Sequence, residues 1–189
     1  MRIDSKNISL PEGQFNCDLQ MWDEAGDRQA LLSIYEDWVA LSDQLQNAGG
    51  RRVNIPEVLS ESVFCLHYNA GRIISSINGA NTSFDCYDLD SKSRIQVKAC
   101  SVEEDLTSFG PKSQWDKLFF IHFFPNLKYD GSYEIFEIPN SLIYNHKMNS
   151  SETFLDQQKQ GRRPRFSFVK EIIKTKKISS KIAGNLNNG

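Results

Sequence analysis

Residues Ser83–Ser101 read SFDCYDLDSKSRIQVKACS. Two runs of alternating character flank a polar turn, Asp90-Ser91-Lys92-Ser93, and this pattern predicts a β-hairpin. With the turn centred on Ser91-Lys92, Leu89 faces Arg94, Tyr87 faces Gln96 and Asp85 faces Lys98. Successive side chains of a strand point to opposite faces. One face then holds Phe84, Cys86, Ile95, Val97 and Ala99 and belongs to a core. The other gathers an acid, an amide and an amine (Asp85, Gln96, Lys98, beside Tyr87) within cross-strand reach.

That polar set suits phosphodiester hydrolysis. Asp85 is a hard oxygen ligand for Mg²⁺, and the Gln96 amide offers a second, neutral oxygen. Lys98 can orient an attacking water and offset charge developing at phosphorus. A bound Mg²⁺ would polarise the phosphoryl oxygen and generate the nucleophile. The same spacing also suits a solvated strand face with one Asp–Lys pair worth under about 1 kcal/mol. Spacing alone leaves both readings open.

Working outward, Asp27 caps an expected helix whose stripe is Leu31, Leu32, Ile34, Tyr35, Trp38, Val39, Leu41 and Leu45, ended by Gly49-Gly50. A second helix is expected from an Asn54 N-cap, with Pro56 in its first turn and Glu57 as the capping-box acid. It runs towards Asn69-Ala70-Gly71. After the hairpin, Lys117–Phe124 predicts a strand buried on both faces. Ser132–Ile138 predicts a strand, Ser141–Met148 a short helix or turn, and Phe166–Val169 one more strand. The expected fold is α/β, a mixed central sheet flanked by helices. The chain reads as a single domain, with a helical part over 1–50, a core over 51–170 and a flexible basic tail over 171–189.

The 189 residues, 39% hydrophobic and 24% charged, suit a globular domain. No apolar run reaches the roughly 20 residues of a membrane span, and the first residues lack the apolar stretch of a secretory signal. A cytoplasmic location is expected. The four cysteines and three histidines are scattered, which argues against a structural zinc site. Cys65, Cys86 and His122 read as core residues. The net charge of -2 does not mark a general polyanion binder, but its distribution is uneven. Residues 1–110 carry nine Lys and Arg against seventeen Asp and Glu, while residues 159–189 carry nine against one. A basic surface facing a polyanion and a solvated basic tail are both consistent with this.

The hairpin resembles the active-site hairpin of the PD-(D/E)xK nuclease superfamily. Asp85 matches the motif Asp and Lys98 the motif Lys. Gln96 stands at the acidic position, a departure that weakens the expected metal affinity, and Phe84 replaces the Pro of the motif name. The PEVLSES helix, the DLTSFGP segment, WDKLFFIHFF and GRRPRFS extend the likeness over roughly residues 50–170. Together they resemble small type II restriction endonucleases, of the kind that cuts an interrupted GC-rich site such as GCNGC. The resemblance implies a Mg²⁺-dependent endonuclease acting on double-stranded DNA as a homodimer. A repair or structure-specific nuclease of the same fold, or an inactive DNA-binding module, would share these features.

The superfamily often places a Glu on the helix before the hairpin. Glu57 and Glu61 share a helix face. Glu57 is accounted for as a capping acid, so Glu61 is the expected assistant, although an exposed helix Glu is common. Ser108, Gly110 and Lys112 are candidate phosphate contacts in a loop that also suits an ordinary turn. Arg162, Arg163 and Arg165 are candidates for phosphate or guanine recognition.

Overall fold

A computed structural model of the protein describes residues 1–188, apart from the side chains of residues 24 and 25. The chain opens with two long strands, β1 (Arg2–Leu10) and β2 (Gly13–Met21). Helices α1 (Glu24–Asn47) and α2 (Glu57–His67) follow, then β3 (Ala70–Ile73), β4 (Cys86–Asp88), β5 (Ser93–Cys100) and β6 (Leu106–Ser108). Next come β7 (Lys117–His122), β8 (Ser132–Ile138), α3 (Asn140–Tyr144), α4 (Phe154–Lys159) and β9 (Arg165–Ser167). A π-helical segment, Phe168–Lys174, leads to β10 (Ile182–Asn185).

Eight strands form one mixed sheet in the order β1-β2-β3-β4-β5-β7-β8-β10, and β6 and β9 form a separate two-stranded ribbon. Only β5 and β7 run parallel in the large sheet; its other pairings are antiparallel. The chain between β5 and β7 is what a parallel crossover needs, and it carries the ribbon strand β6. Helices α1 and α2 cover one sheet face, joining Leu31, Tyr35, Trp38, Leu59 and Val63 to Ile95, Val97 and Ile121. On the other face Leu118, Phe120 and Cys100 meet Phe109, Trp115, Phe154, Phe166 and Phe168. Phe120 and Phe168 stack with ring centroids 4.6 Å apart. The LFFIHFF run is therefore central and sealed on both faces, as its continuous apolar character indicates. His122 is buried within it, and burial pushes its imidazole below the usual range.

Four expectations need correction. The first 50 residues are not wholly helical: a hairpin precedes α1, which starts at Glu24 rather than at an Asp27 cap. Only Ile8, Leu10, Cys17, Leu19 and Met21 of the hairpin are buried, so its period-two signal is dilute among polar residues. The Asn54 capping box does not form. Pro56 itself occupies the N-cap with no side-chain cap, and α2 ends at His67 because residues 70–73 pair as β3. The chain leaves the extended state at Ser167, whose hydroxyl accepts from the Lys170 N–H at 3.4 Å, so Phe168 and Val169 are helical rather than extended. The expected flexible tail is ordered over its described residues, 171–188. Ile182–Asn185 pair with β8, Leu186 is buried, and the Asn185 carbonyl accepts from Arg28 Nη1 at 2.9 Å.

Candidate active site

The hairpin forms, but its register is two residues from the expected one. Cys86 pairs with Ile95, Tyr87 with Arg94 and Asp88 with Ser93. The cause is Asp88. Its carboxylate accepts from the Asp90 N–H at 2.9 Å, the Ser91 N–H at 3.1 Å and the Ser91 hydroxyl at 2.8 Å, which fixes the turn over residues 89–92. Lys92 takes the left-handed conformation there, at φ 51°. A shift of two preserves every facing, so Asp85 is brought beside Gln96 instead of directly opposite Lys98. Its N–H donates to the Ile95 carbonyl at 2.9 Å.

The side of the hairpin expected to be polar is not a solvated face. Tyr87 is buried against the β1–β2 hairpin, with its hydroxyl bonded to both the N–H and the carbonyl of Ser9 at 3.1 Å. Gln96 is only 2% exposed. Burial there sets up the electrostatics of the site.

Asp85 lies at the edge of a cleft of about 520 Å³ that also takes in Glu57, Glu61, Lys98, Ser108 and Arg165. The Gln96 Nε2 and the Val97 N–H, the latter at 2.8 Å, both donate to the same Asp85 oxygen, Oδ2. Among the described residues Oδ1 has no donor. Gln96 Oε1 is a buried acceptor with no partner. Burial pushes the Asp85 carboxyl above the usual range, against the pull of Lys98 and the Val97 N–H. Glu61, on the buried face of α2, is raised to about 7 by burial and then by the nearby Asp85 charge, although Arg72 Nε donates to its Oε2 at 2.7 Å. A buried carboxylate, Glu61, and a partly buried one, Asp85, thus face the cleft, with the unpartnered Gln96 amide oxygen buried beside Asp85.

Lys98 reaches the cleft with its ammonium 5.7 Å from the Phe109 ring centroid. Phe109 is fully buried, so the stem of Lys98 is aimed by the aromatic core beneath it. No carboxylate of the described residues pairs directly with this ammonium. The cleft therefore offers a hard oxygen set and a cation side by side.

The other expected site residues divide. Ser108 and Arg165 are register partners across the β6–β9 ribbon and lie at the cleft, both exposed. Gly110 packs into the turn that follows, where a Cβ would meet Ser113 Oγ at 2.7 Å. Lys112 lies outside the cleft lining, and its carbonyl accepts from the Ser83 hydroxyl at 3.1 Å. Arg162 pairs with Glu152, while Arg163 is exposed two residues before Arg165. The sequence reading missed Arg51, Asn54 and Thr107, which also line the cleft, and Arg72, which holds Glu61. Arg72 stands alone in a short apolar strand after Gly71, and no spacing marks it as a partner of α2. No cluster of three His, Cys, Asp or Glu suited to a metal occurs among the described residues.

Compared with known proteins, the chain matches the Bsp6I restriction endonuclease family over residues 23–175. It is 32% identical over 152 residues to the type II restriction enzyme Bsp6I of Bacillus sp. (strain RFL6), an alignment covering 78% of this chain and 81% of that protein. No solved structure matches the chain at a significant level.

Proposed function

The chain belongs to the Bsp6I restriction endonuclease family and is a type II, site-specific endonuclease; from that premise we propose that the Asp85–Lys98 hairpin hydrolyses phosphodiester bonds of double-stranded DNA with Mg²⁺. The observation that carries this reading is the gathering of Asp85, Glu61 and the Lys98 ammonium at one cleft, with Asp85 hydrogen-bonded to Gln96, whose buried amide oxygen has no partner.

The donor set fits Mg²⁺. One carboxylate and one amide oxygen, with water completing the shell, is the kind of hard, sparse set this ion takes. Asp85 and Gln96 would hold it. Gln96 Nε2 donates to Asp85 Oδ2, and an amide turned to bring Oε1 toward a shared cation would give that orphaned oxygen a partner. When bound, the ion supplies charge to the scissile phosphate and acidifies water. Lys98 donates to the attacking oxygen and to the phosphoryl oxygen on which charge accumulates. Glu61 accepts a hydrogen bond from the attacking water and orients it. Ser108 and Arg165, across the ribbon, bind phosphates beside the scissile one, and Arg162 and Arg163 extend that contact along the backbone or onto guanine edges. Gly110 and Lys112 follow in the same loop as further phosphate contacts.

A duplex site with two-fold symmetry calls for two active sites related by the same axis, hence a homodimer. Cutting one half of a restriction–modification system, and an interrupted GC-rich target, fit the same reading. The experiment is digestion of long unmethylated DNA by the purified protein in Mg²⁺ or in EDTA, with sequencing of the ends. Discrete fragments that require Mg²⁺ are expected. DNA that is bound but stays intact in both would leave a binding module in place of a nuclease, and a smear of random ends would point to a nuclease of another task.

A further inference from the structure

Glu61 is not held by its helix alone. Arg72, on β3, donates from Nε to Glu61 Oε2 at 2.7 Å and from Nη1 to Gln20 Oε1 on β2. Gln20 and Arg72 are register partners across the β2–β3 pairing, so the two side chains emerge on the same face. Gly71 permits this approach, because a Cβ there would lie 2.6 Å from both the Leu19 Cβ and the Met21 Sδ. The Glu61 and Arg72 side chains are only 10% and 16% exposed, so water does not compete strongly for the pair. β2 ends at Met21, and the match to the family begins at residue 23. Gln20 therefore lies outside the matched stretch.

We propose that Arg72 is a positioning residue for Glu61, and that Gln20 locks Arg72 in place, making the N-terminal hairpin part of the cleavage apparatus. The proposal rests on the reading of Glu61 as the group that orients the attacking water. A guanidinium can serve two acceptors from one fixed plane, whereas an ammonium at the same place offers a single point charge. The charge neutralises Glu61; the fork fixes where its second oxygen points.

The test is single-turnover cleavage of a duplex carrying the site that the wild-type protein cuts, measured beside duplex affinity in EDTA and thermal unfolding. Arg72→Lys keeps the charge and is expected to slow cleavage on the order of 10-fold to 100-fold, with duplex affinity in EDTA unchanged. Gln20→Ala leaves the Arg72–Glu61 pair intact and guards against a misfolded Arg72 variant; it is expected to slow cleavage by a smaller factor in the same direction. Glu61→Gln alone tests the underlying reading. In a Glu61→Gln background, Arg72→Lys should cost nothing further. An equal loss from Arg72→Lys with or without Glu61, or a loss confined to duplex affinity, overturns the positioning role while leaving the role of Glu61 standing. Full activity of Glu61→Gln sinks both.

Discussion

The middle of the sheet and its cleft end are built on opposite terms, although one strand, β5, runs through both. In the middle, Ile95 of β5 and Phe119 and Ile121 of β7 lie in a sealed apolar layer, and Phe120 stacks on Phe168 behind them. Every group there loses water and gains packing contacts. At the cleft, Asp85, Glu61 and Gln96 also lose water, but two charges and an amide oxygen are left without full compensation. Burial stabilises the first region and costs stability in the second. On the proposed reading, substrate and a cation complete the cleft and offset that cost.

Variants can break or sharpen this contrast. The largest stability effect belongs to the middle: Phe120→Ala should cost about 3–5 kcal/mol by denaturant unfolding, while the fraction still folded cleaves at nearly the normal rate. An equal loss of rate per folded molecule would mean that the two regions are not separable. Gln96→Glu should act in opposite senses with and without Mg²⁺. In EDTA a further buried carboxylate should destabilise by roughly 2–3 kcal/mol, whereas cleavage should reach half-maximal rate at lower Mg²⁺. Stability unchanged in EDTA would show that position 96 is more hydrated than its burial indicates.

A pH effect follows from Glu61. Its folded pKa, about 7, lies above the unfolded value near 4.5, so the folded state binds more protons between those limits. In EDTA this group should make the protein less stable as pH rises from 4.5 to 7, and Glu61→Gln should remove that slope. A slope that survives the substitution assigns it elsewhere. The smallest effect is expected at the margin of the site. Tyr87→Phe loses the hydroxyl bonded to Ser9 and leaves a backbone N–H and carbonyl less satisfied, at about 1 kcal/mol in unfolding, with cleavage unchanged.

How much of this was legible in the sequence differs residue by residue. The LFFIHFF strand announces itself, because a continuous apolar run of that length has few other places to go. That Asp85 and Lys98 share a face was legible, because a shift of register by two keeps each residue on its side of the hairpin. The β1–β2 hairpin was not, since its buried residues are spread among exposed Asp, Asn, Gln and Ser. Missing it hid two consequences: the burial of Tyr87 against that hairpin, and the contact between Gln20 and Arg72. The C-terminal strand was hidden for a related reason. The Lys-rich stretch before Ile182–Asn185 reads as a tail, and only the pairing with β8 gives Ile182 and Leu186 a place to pack. Glu57 was set aside as a capping acid, but that capping box does not form and both glutamates line the cleft; Glu61 is the buried one of the two, and the partner that holds it lay beyond what local pattern can reveal.

The central claim is that the cleft at Asp85 and Lys98 is where the phosphodiester bond breaks. It is tested most directly by incubating Asp85→Asn and Lys98→Ala with the DNA that the wild-type protein cuts, in Mg²⁺, alongside duplex binding and thermal unfolding. Cleavage should fall by on the order of 10²–10³-fold or more in each, with DNA still bound and the melting temperature unchanged or, for Asp85→Asn, raised. Wild-type fragments from either variant would contradict the claim and move the chemistry to another part of the molecule.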